Sequence, residues 1–380
     1  MKILIWAPFI NKVGTTSNVI NSIEALMTYP RDKIYSVDLI NAFGEWDNYT
    51  FEDKKINVIN LLTNKFILKA DKKGFLKSRF YTILIFIFAA WPLFKLIKKN
   101  KYDYIISYLI TSLPITLFSL INSSSKLILS ISGFPKLTNF RKLFWKFSKN
   151  NIYKIICPSY ETKELLSKAR IFNSNQLVVI KDPHVSTKKI LNFSKEKIND
   201  LPFKDNKFLI SIGRLTKQKN FIFLIEAFKN IQKYKNNLHL MIIGDGEEKI
   251  KIEKKIKELN LIDNVHLIGY QKNIYKYLKK SFCYVSTSLW EGPDLAILDA
   301  SYCNIPIICS DCKSGRKEFI NKGERGYIFK TNDMDSFLFK FQNFMKEDKE
   351  VLKQKLLKSK KEVKNFTKFR YYQSLKNILI

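Results

Sequence analysis

Glu291 and Asp299 frame the stretch Glu291-Gly-Pro-Asp-Leu-Ala-Ile-Leu-Asp299, and Arg214 and Lys219 lie close together in Gly213-Arg-Leu-Thr-Lys-Gln-Lys219. Two carboxylates and two cations suit an oxygen-rich, anionic ligand. Carboxylates accept hydrogen bonds from sugar hydroxyls. Arginine offers phosphate oxygens a fork of donors and lysine a mobile point charge, so the two can neutralise a diphosphate. The same spacings also fit solvated acids beside an ordinary turn and surface cations before a helix, so the surrounding elements decide.

Around Glu291 the apolar runs Phe282–Val285 and Pro306–Cys309 enclose a loop and a helix, giving strand, loop, helix, strand. The loop passes through Gly292 and Pro293 to an N-cap at Asp294, followed by the helix formers Leu295, Ala296, Ile297 and Leu298. A helix beginning there points free N–H groups above the strand ends, where phosphate or hydroxyl oxygens are stabilised. Asp299 falls one to two turns into it. Upstream, Phe208–Gly213 is a strand whose final glycine permits a tight turn, with a helix from Phe221. Leu238–Ile243 leads into Gly244-Asp-Gly-Glu247, and Val265–Ile268 into Gly269-Tyr270. In the N-terminal half the strand Met1–Ile10 precedes a loop containing Gly14 and Thr15 and a helix from Ser17. Further strands fall at Ile34–Ala42, Ile56–Leu62, Tyr104–Tyr108, Lys126–Ile131 and Leu177–Ile180.

Strands alternating with helices predict an α/β protein of two doubly wound, Rossmann-like parallel sheets. The expected division is 1–185, a polar linker over 186–206, a second domain over 207–365, and a C-terminal helix at 366–380 returning to the first. With 380 residues, each domain is long enough for its own core. The formal charge of +32 implies attraction to a polyanion, whether nucleic acid, an anionic membrane surface or a phosphorylated substrate. The start of the chain has too short an apolar run, and no small-residue cleavage site, for a signal peptide. Two stretches suit a membrane interface: Phe80–Phe94, uncharged with basic flanks but interrupted by Pro92, and Lys136–Lys149, where Phe140, Leu143, Phe144 and Phe147 recur at helical spacing among cations. Helices packed on their own sheet fit both equally. Cys309-x-x-Cys312 has no second pair or histidine cluster beside it, so reduced thiols are expected and no metal site.

The stretch Glu291–Asp299 resembles the E-x7-E motif of family 4 glycosyltransferases, and Gly213–Asn220 resembles that family's G-R-x-x-x-x-K-G/N motif. The resemblance implies a GT-B fold, two Rossmann-like domains facing a cleft. It implies retaining, metal-independent transfer of a hexose or N-acetylhexosamine from a nucleotide-diphosphate sugar, UDP- or GDP-linked, with no cofactor beyond that co-substrate. Arg214 and Lys219 would bind the diphosphate and Glu291 the sugar. Gly213, Gly244, Gly269, Tyr270, Gly292, Pro293, Asp294, Leu295 and Asp299 would complete the donor site, and Gly14 and Thr15 an acceptor loop. Asp299 stands where the family has a second glutamate, the residue that would hold the ribose hydroxyls, and is one methylene shorter. The N-terminal histidine common in the family is missing at its place, His184 lying elsewhere. A glycan or lipid-linked acceptor of lipopolysaccharide or capsule type is expected, at the cytoplasmic face of the membrane and without nucleic acid. The alternatives are a sugar-nucleotide epimerase of the same fold and a nucleic-acid-binding protein.

Overall fold

The structure is a computed structural model describing residues 1–10, 14–30, 35–49, 51, 55–62, 75–198, 201, 203, 207–235, 237–291, 294–312 and 315–379. The chain divides into two compact units, Met1–His184 with Lys368–Ile380, and Val185–Thr367.

The first unit is built on a seven-stranded, all-parallel sheet of order β3-β2-β1-β4-β5-β6-β7. Its strands are β1 Lys2–Trp6, β2 Ser36–Asn41, β3 Ile56–Asn60, β4 Tyr104–Ser107, β5 Lys126–Ser130, β6 Lys154–Cys157 and β7 Leu177–Val179. The central strands read as continuous apolar runs because helices cover both faces. One face packs Ile3, Ile5, Val37 and Ile106 against the helices Gly14–Thr28 and Lys368–Lys376. The C-terminal helix is locked in by Tyr371, whose hydroxyl lies 3.0 Å from that of Tyr108. The other face packs Leu4, Trp6, Ile105 and Leu129 against the helices Phe75–Lys99, Ser112–Leu120 and Asn139–Ser148.

Phe75–Lys99 is a single helix that continues through Pro92. Pro92 was expected to interrupt it, but the stripe Ile85, Ala89, Leu93 and Ile97, one residue per turn and fully buried against the sheet, holds the helix together on both sides of the proline.

The second unit has a six-stranded parallel sheet of order β10-β9-β8-β11-β12-β13. The strands are β8 Phe208–Ile212, β9 His239–Ile243, β10 Val265–Leu267, β11 Cys283–Ser286, β12 Ile307–Ser310 and β13 Tyr327–Phe329. The run 186–206, read above as a linker, belongs to this unit. Thr187–Phe193 is helical with Ile190 buried, and Phe193, Ile198, Leu201 and Phe203 pack on the unit's core. These five apolar residues of that run are therefore packing positions.

In both sheets the chain winds outward from the middle in two directions. The reversal falls between β1 and β4 in the first unit and between β8 and β11 in the second. Loops leaving the carboxyl ends of the strands diverge at such points and leave a crevice where ligands bind.

Candidate donor site at the second switch point

The loops after β8 and β11 meet above this crevice. The β8 loop leaves through Gly213, whose N–H donates to Ile243 O at 2.9 Å. A Cβ at Gly213 would stand 2.8 Å from Lys219 Cε, so the missing side chain leaves room for the lysine stem. Gly244, at φ +151°, admits no side chain, because its Cβ would lie 1.8 Å from Gly213 O. Its N–H in turn donates to Gly269 O at 2.9 Å. The glycines of three neighbouring strand ends thus let three backbones approach closely. Tyr270, next in line, is exposed on the rim.

Lys219 ends a short 3-10 turn and is fixed from the β11 side. Thr287 Oγ1 donates to Lys219 O at 3.1 Å and to Asn220 O at 3.0 Å. Its ammonium then reaches Glu291 Oε1 at 2.6 Å, with the lysine side chain 16% exposed and the glutamate 7%. Glu291 is held on every side. Ser288 Oγ donates to Oε1 at 2.7 Å, Gln218 Nε2 donates to Oε2 at 3.2 Å, and Arg316 Nη2 stands 3.6 Å from Oε1. Arg214 differs in being exposed, the first residue after Gly213 in the segment leaving β8.

Asp294 occupies the N-cap position of the helix Leu295–Tyr302, but its side chain does not cap it, correcting the reading of Asp294 as a capping group. The carboxylate turns away to pair with Arg316 Nη2. The charge attraction of a fully buried arginine outweighs one cap hydrogen bond. Burial opposes ionisation of Asp294, and Arg316 and Lys219 overcome it, holding the carboxyl below the usual aspartate range. Burial likewise disfavours the Arg316 charge, and Asp294 and Glu291 help to reverse this, raising its affinity for the proton. Arg316 is secured further by Ser310 Oγ at 2.8 Å and Ser286 Oγ at 2.6 Å. With the carboxylate withdrawn, no side chain caps the helix start, and Asp294 Oδ1 is buried with no hydrogen-bond donor among the described residues.

Asp299 is buried on the inner side of the same helix and accepts from the Tyr275 hydroxyl at 3.2 Å. Burial and the neighbouring Asp299 both push the Tyr275 phenol up. The structure therefore gathers Gly213, Lys219, Gly244, Glu291 and Asp294 at one switch point, turns Asp299 inward, and leaves Leu295 half-buried in the first helical turn. Gly292 and Pro293 lie outside the described residues. Gly14 and Thr15 open the helix Gly14–Thr28 of the first unit.

Sequence reasoning missed Gln218, Ser286, Ser288, Ser310 and Arg316. The one available signal was Arg316 itself, a cation directly after Gly315 in the loop leaving the strand next to β11. Asp333 serves local structure: its Oδ1 caps the helix Met334–Lys346 by accepting from Ser336 N at 2.9 Å. Cys309 and Cys312 are buried free thiols, and burial pushes Cys309 up to about 12.

Residues 193–363 match the family model described as glycosyl transferases group 1. An uncharacterized glycosyltransferase of Methanocaldococcus jannaschii is 31% identical over 305 residues, covering 76% of this chain and 72% of that protein. An Escherichia coli protein named as a UDP-Gal:alpha-D-GlcNAc-diphosphoundecaprenol alpha-1,3-galactosyltransferase is 30% identical over 263 residues, 65% of this chain and 67% of the relative. Other curated relatives are matched over less than half of their own length. Among solved structures, sucrose-phosphate synthase from Thermosynechococcus elongatus superposes with a TM-score of 0.80 at 15% identity, covering 100% of this chain and 98% of the other, a likeness of fold. The chain belongs to the group 1 glycosyl transferases, the family 4 type of GT-B fold, and is a glycosyltransferase enzyme.

Proposed function

We propose that this enzyme transfers a hexose or N-acetylhexosamine from a UDP- or GDP-linked sugar to a lipid-linked or lipopolysaccharide-type glycan, with retention of anomeric configuration and without a metal ion. The observation that carries this reading is the Lys219–Glu291 pair, which joins a phosphate-directed cation to a sugar-directed carboxylate across the switch point. In the chemical step the bond between the anomeric carbon and the diphosphate breaks with both electrons leaving on the diphosphate. Arg214 and Lys219 meet that growing charge, the service a metal ion gives elsewhere. The acceptor hydroxyl oxygen bonds to the same face of the anomeric carbon, and its proton departs with the nucleoside diphosphate. Glu291 accepts from the sugar hydroxyls. Asp294 Oδ1 offers a further buried acceptor, and the uncapped N–H groups at Leu295 face the phosphates.

When Lys219 swings towards the diphosphate, Glu291 keeps Ser288, Gln218 and Arg316. Its charge and position then survive the exchange. The acceptor class is supported by the name of the E. coli relative, which specifies a diphosphoundecaprenol-linked sugar and an alpha product. Such an acceptor places the work at a membrane surface, and we propose the cytoplasmic face. The test is incubation with UDP- and GDP-linked sugars and a diphosphate-lipid-linked acceptor sugar in excess EDTA, with the new linkage assigned by NMR. An alpha linkage formed at undiminished rate supports the proposal. Isomerisation of the nucleotide sugar without transfer, a beta product, or full loss of activity in EDTA would contradict it.

A further inference from the structure

We propose that the helix layer on one face of the first sheet, Phe75–Lys99 with Asn139–Ser148, is a docking surface for an anionic phospholipid bilayer, lying in the plane of its headgroups. Phe75–Lys99 includes a segment, Arg79–Lys99, long and apolar enough to cross a membrane. The inward stripe Ile85, Ala89, Leu93 and Ile97 excludes that use, because it is committed to the sheet core with Leu4, Trp6 and Ile105. The outward stripe is also apolar. Phe80, Ile83, Ile87 and Trp91 recur every three or four residues, each at least 57% exposed. The same line continues into Lys95 and Lys98, and Lys95 Nζ sits 5.2 Å from the Trp91 ring centroid.

Asn139–Ser148 repeats the pattern on a shorter scale. Phe140 is 81% exposed, Phe147 79% and Leu143 54%, while Trp145 turns inward to the core. Arg141, Lys142 and Lys146 stand exposed between them. The helix Ser112–Leu120 packs between the two on the same sheet face and ends at Leu120, 75% exposed. Single exposed apolar residues need no explanation, but stripes on neighbouring helices do.

Charge selects the occupant. Residues 72–160 contain fifteen lysines and arginines and one acid, Asp103, whose Oδ2 accepts from Lys2 N at 2.7 Å. Aromatic and aliphatic side chains flanked by lysine match the apolar boundary and the anionic headgroups of a bilayer. A second copy of this surface would bring like charges together, and any other protein partner would have to supply all the acids that the cations between the apolar side chains require. The geometry and charge stand independently of the reaction; only the link to the acceptor rests on the proposed lipid-linked substrate.

The experiment is flotation of the full chain with vesicles of phosphatidylcholine alone or mixed equally with phosphatidylglycerol, with neither donor nor acceptor present. Binding is expected with the mixed vesicles only, weakening by about fivefold for each of Lys142→Gln and Lys146→Gln and as salt rises. Phe140→Ser/Phe147→Ser should weaken it by about tenfold or more with the circular dichroism spectrum unchanged, since both side chains lie on the surface. The same variant should keep wild-type turnover of a water-soluble short acceptor and lose turnover of a bilayer-embedded one. Failure of the wild type to float, flotation insensitive to both sets of substitutions, or a doubled mass in sedimentation equilibrium that the same variants abolish would overturn the proposal. Nucleotide-sugar turnover on the soluble acceptor would still stand as a separate result.

Discussion

Glu291 is held by a lysine, a serine, a glutamine and a more distant arginine, so its position is set before any ligand arrives. Arg316 matters most to that arrangement, because it is buried and shares its charge between Asp294 and Glu291. Replacing it with methionine leaves two buried carboxylates short of a counter-charge and should cost roughly 3–5 kcal/mol in chemical denaturation. Arg316→Met combined with Asp294→Leu should recover most of the loss, since a removed pair leaves no stranded charge. A single-variant cost near zero would mean that Arg316 carries no such role. Arg214, Lys219 and Glu291 were legible in the sequence because they lie in the segments that leave the apolar runs Phe208–Ile212 and Phe282–Val285. Arg316 and Ser310 were not, since they reach the Glu291 loop only because β12 lies beside β11, and Ser286 and Ser288 carry no charge to mark them at the end of an apolar strand. The order of strands is not written in the spacing of residues.

Turns between elements set the closeness of the strand ends. Gly244→Ala should destabilise the second unit by more than about 2 kcal/mol, because the methyl group meets the Gly213 carbonyl. A variant as stable as wild type would show that the turn can open. At the end of β2, Glu45 accepts from Ala42 N at 3.0 Å and Phe43 N at 2.9 Å, yet burial pushes its carboxyl up from 4.5 to about 7. The folded state then holds a proton that the unfolded chain releases. Stability from this group is present below 4.5 and is lost as pH rises from 4.5 to about 7, by roughly 3 kcal/mol. Denaturation midpoints across that window should fall, and Glu45→Gln should flatten the fall. An unchanged slope in the variant would remove Glu45 as the cause. Strands were readable as apolar runs. The helices Ser112–Leu120 and Tyr275–Lys280 were not. The first is apolar nearly all round, so it lacks the period of a surface helix, although Thr111 and Pro114 stand where a helix start would place them.

For the molecule as a whole, the alternation of strands and helices gave the fold class, because a parallel sheet needs a crossover helix after each strand. The division of the chain was harder to read at 186–206, where a polar composition hides five packing residues. Both units present a switch point, and the second gathers buried cations and carboxylates there within hydrogen-bond reach of one another. Whether that cluster is a donor site is best tested by titration calorimetry of UDP, GDP and their sugars with the full chain in EDTA, for wild type and for Arg214→Ala/Lys219→Ala. Micromolar binding of one nucleoside diphosphate, weakened roughly a hundredfold or more in the double variant, is the expected result. No binding by a folded wild type, or equal binding by the variant, would contradict the donor site and leave the positive charge to a different ligand.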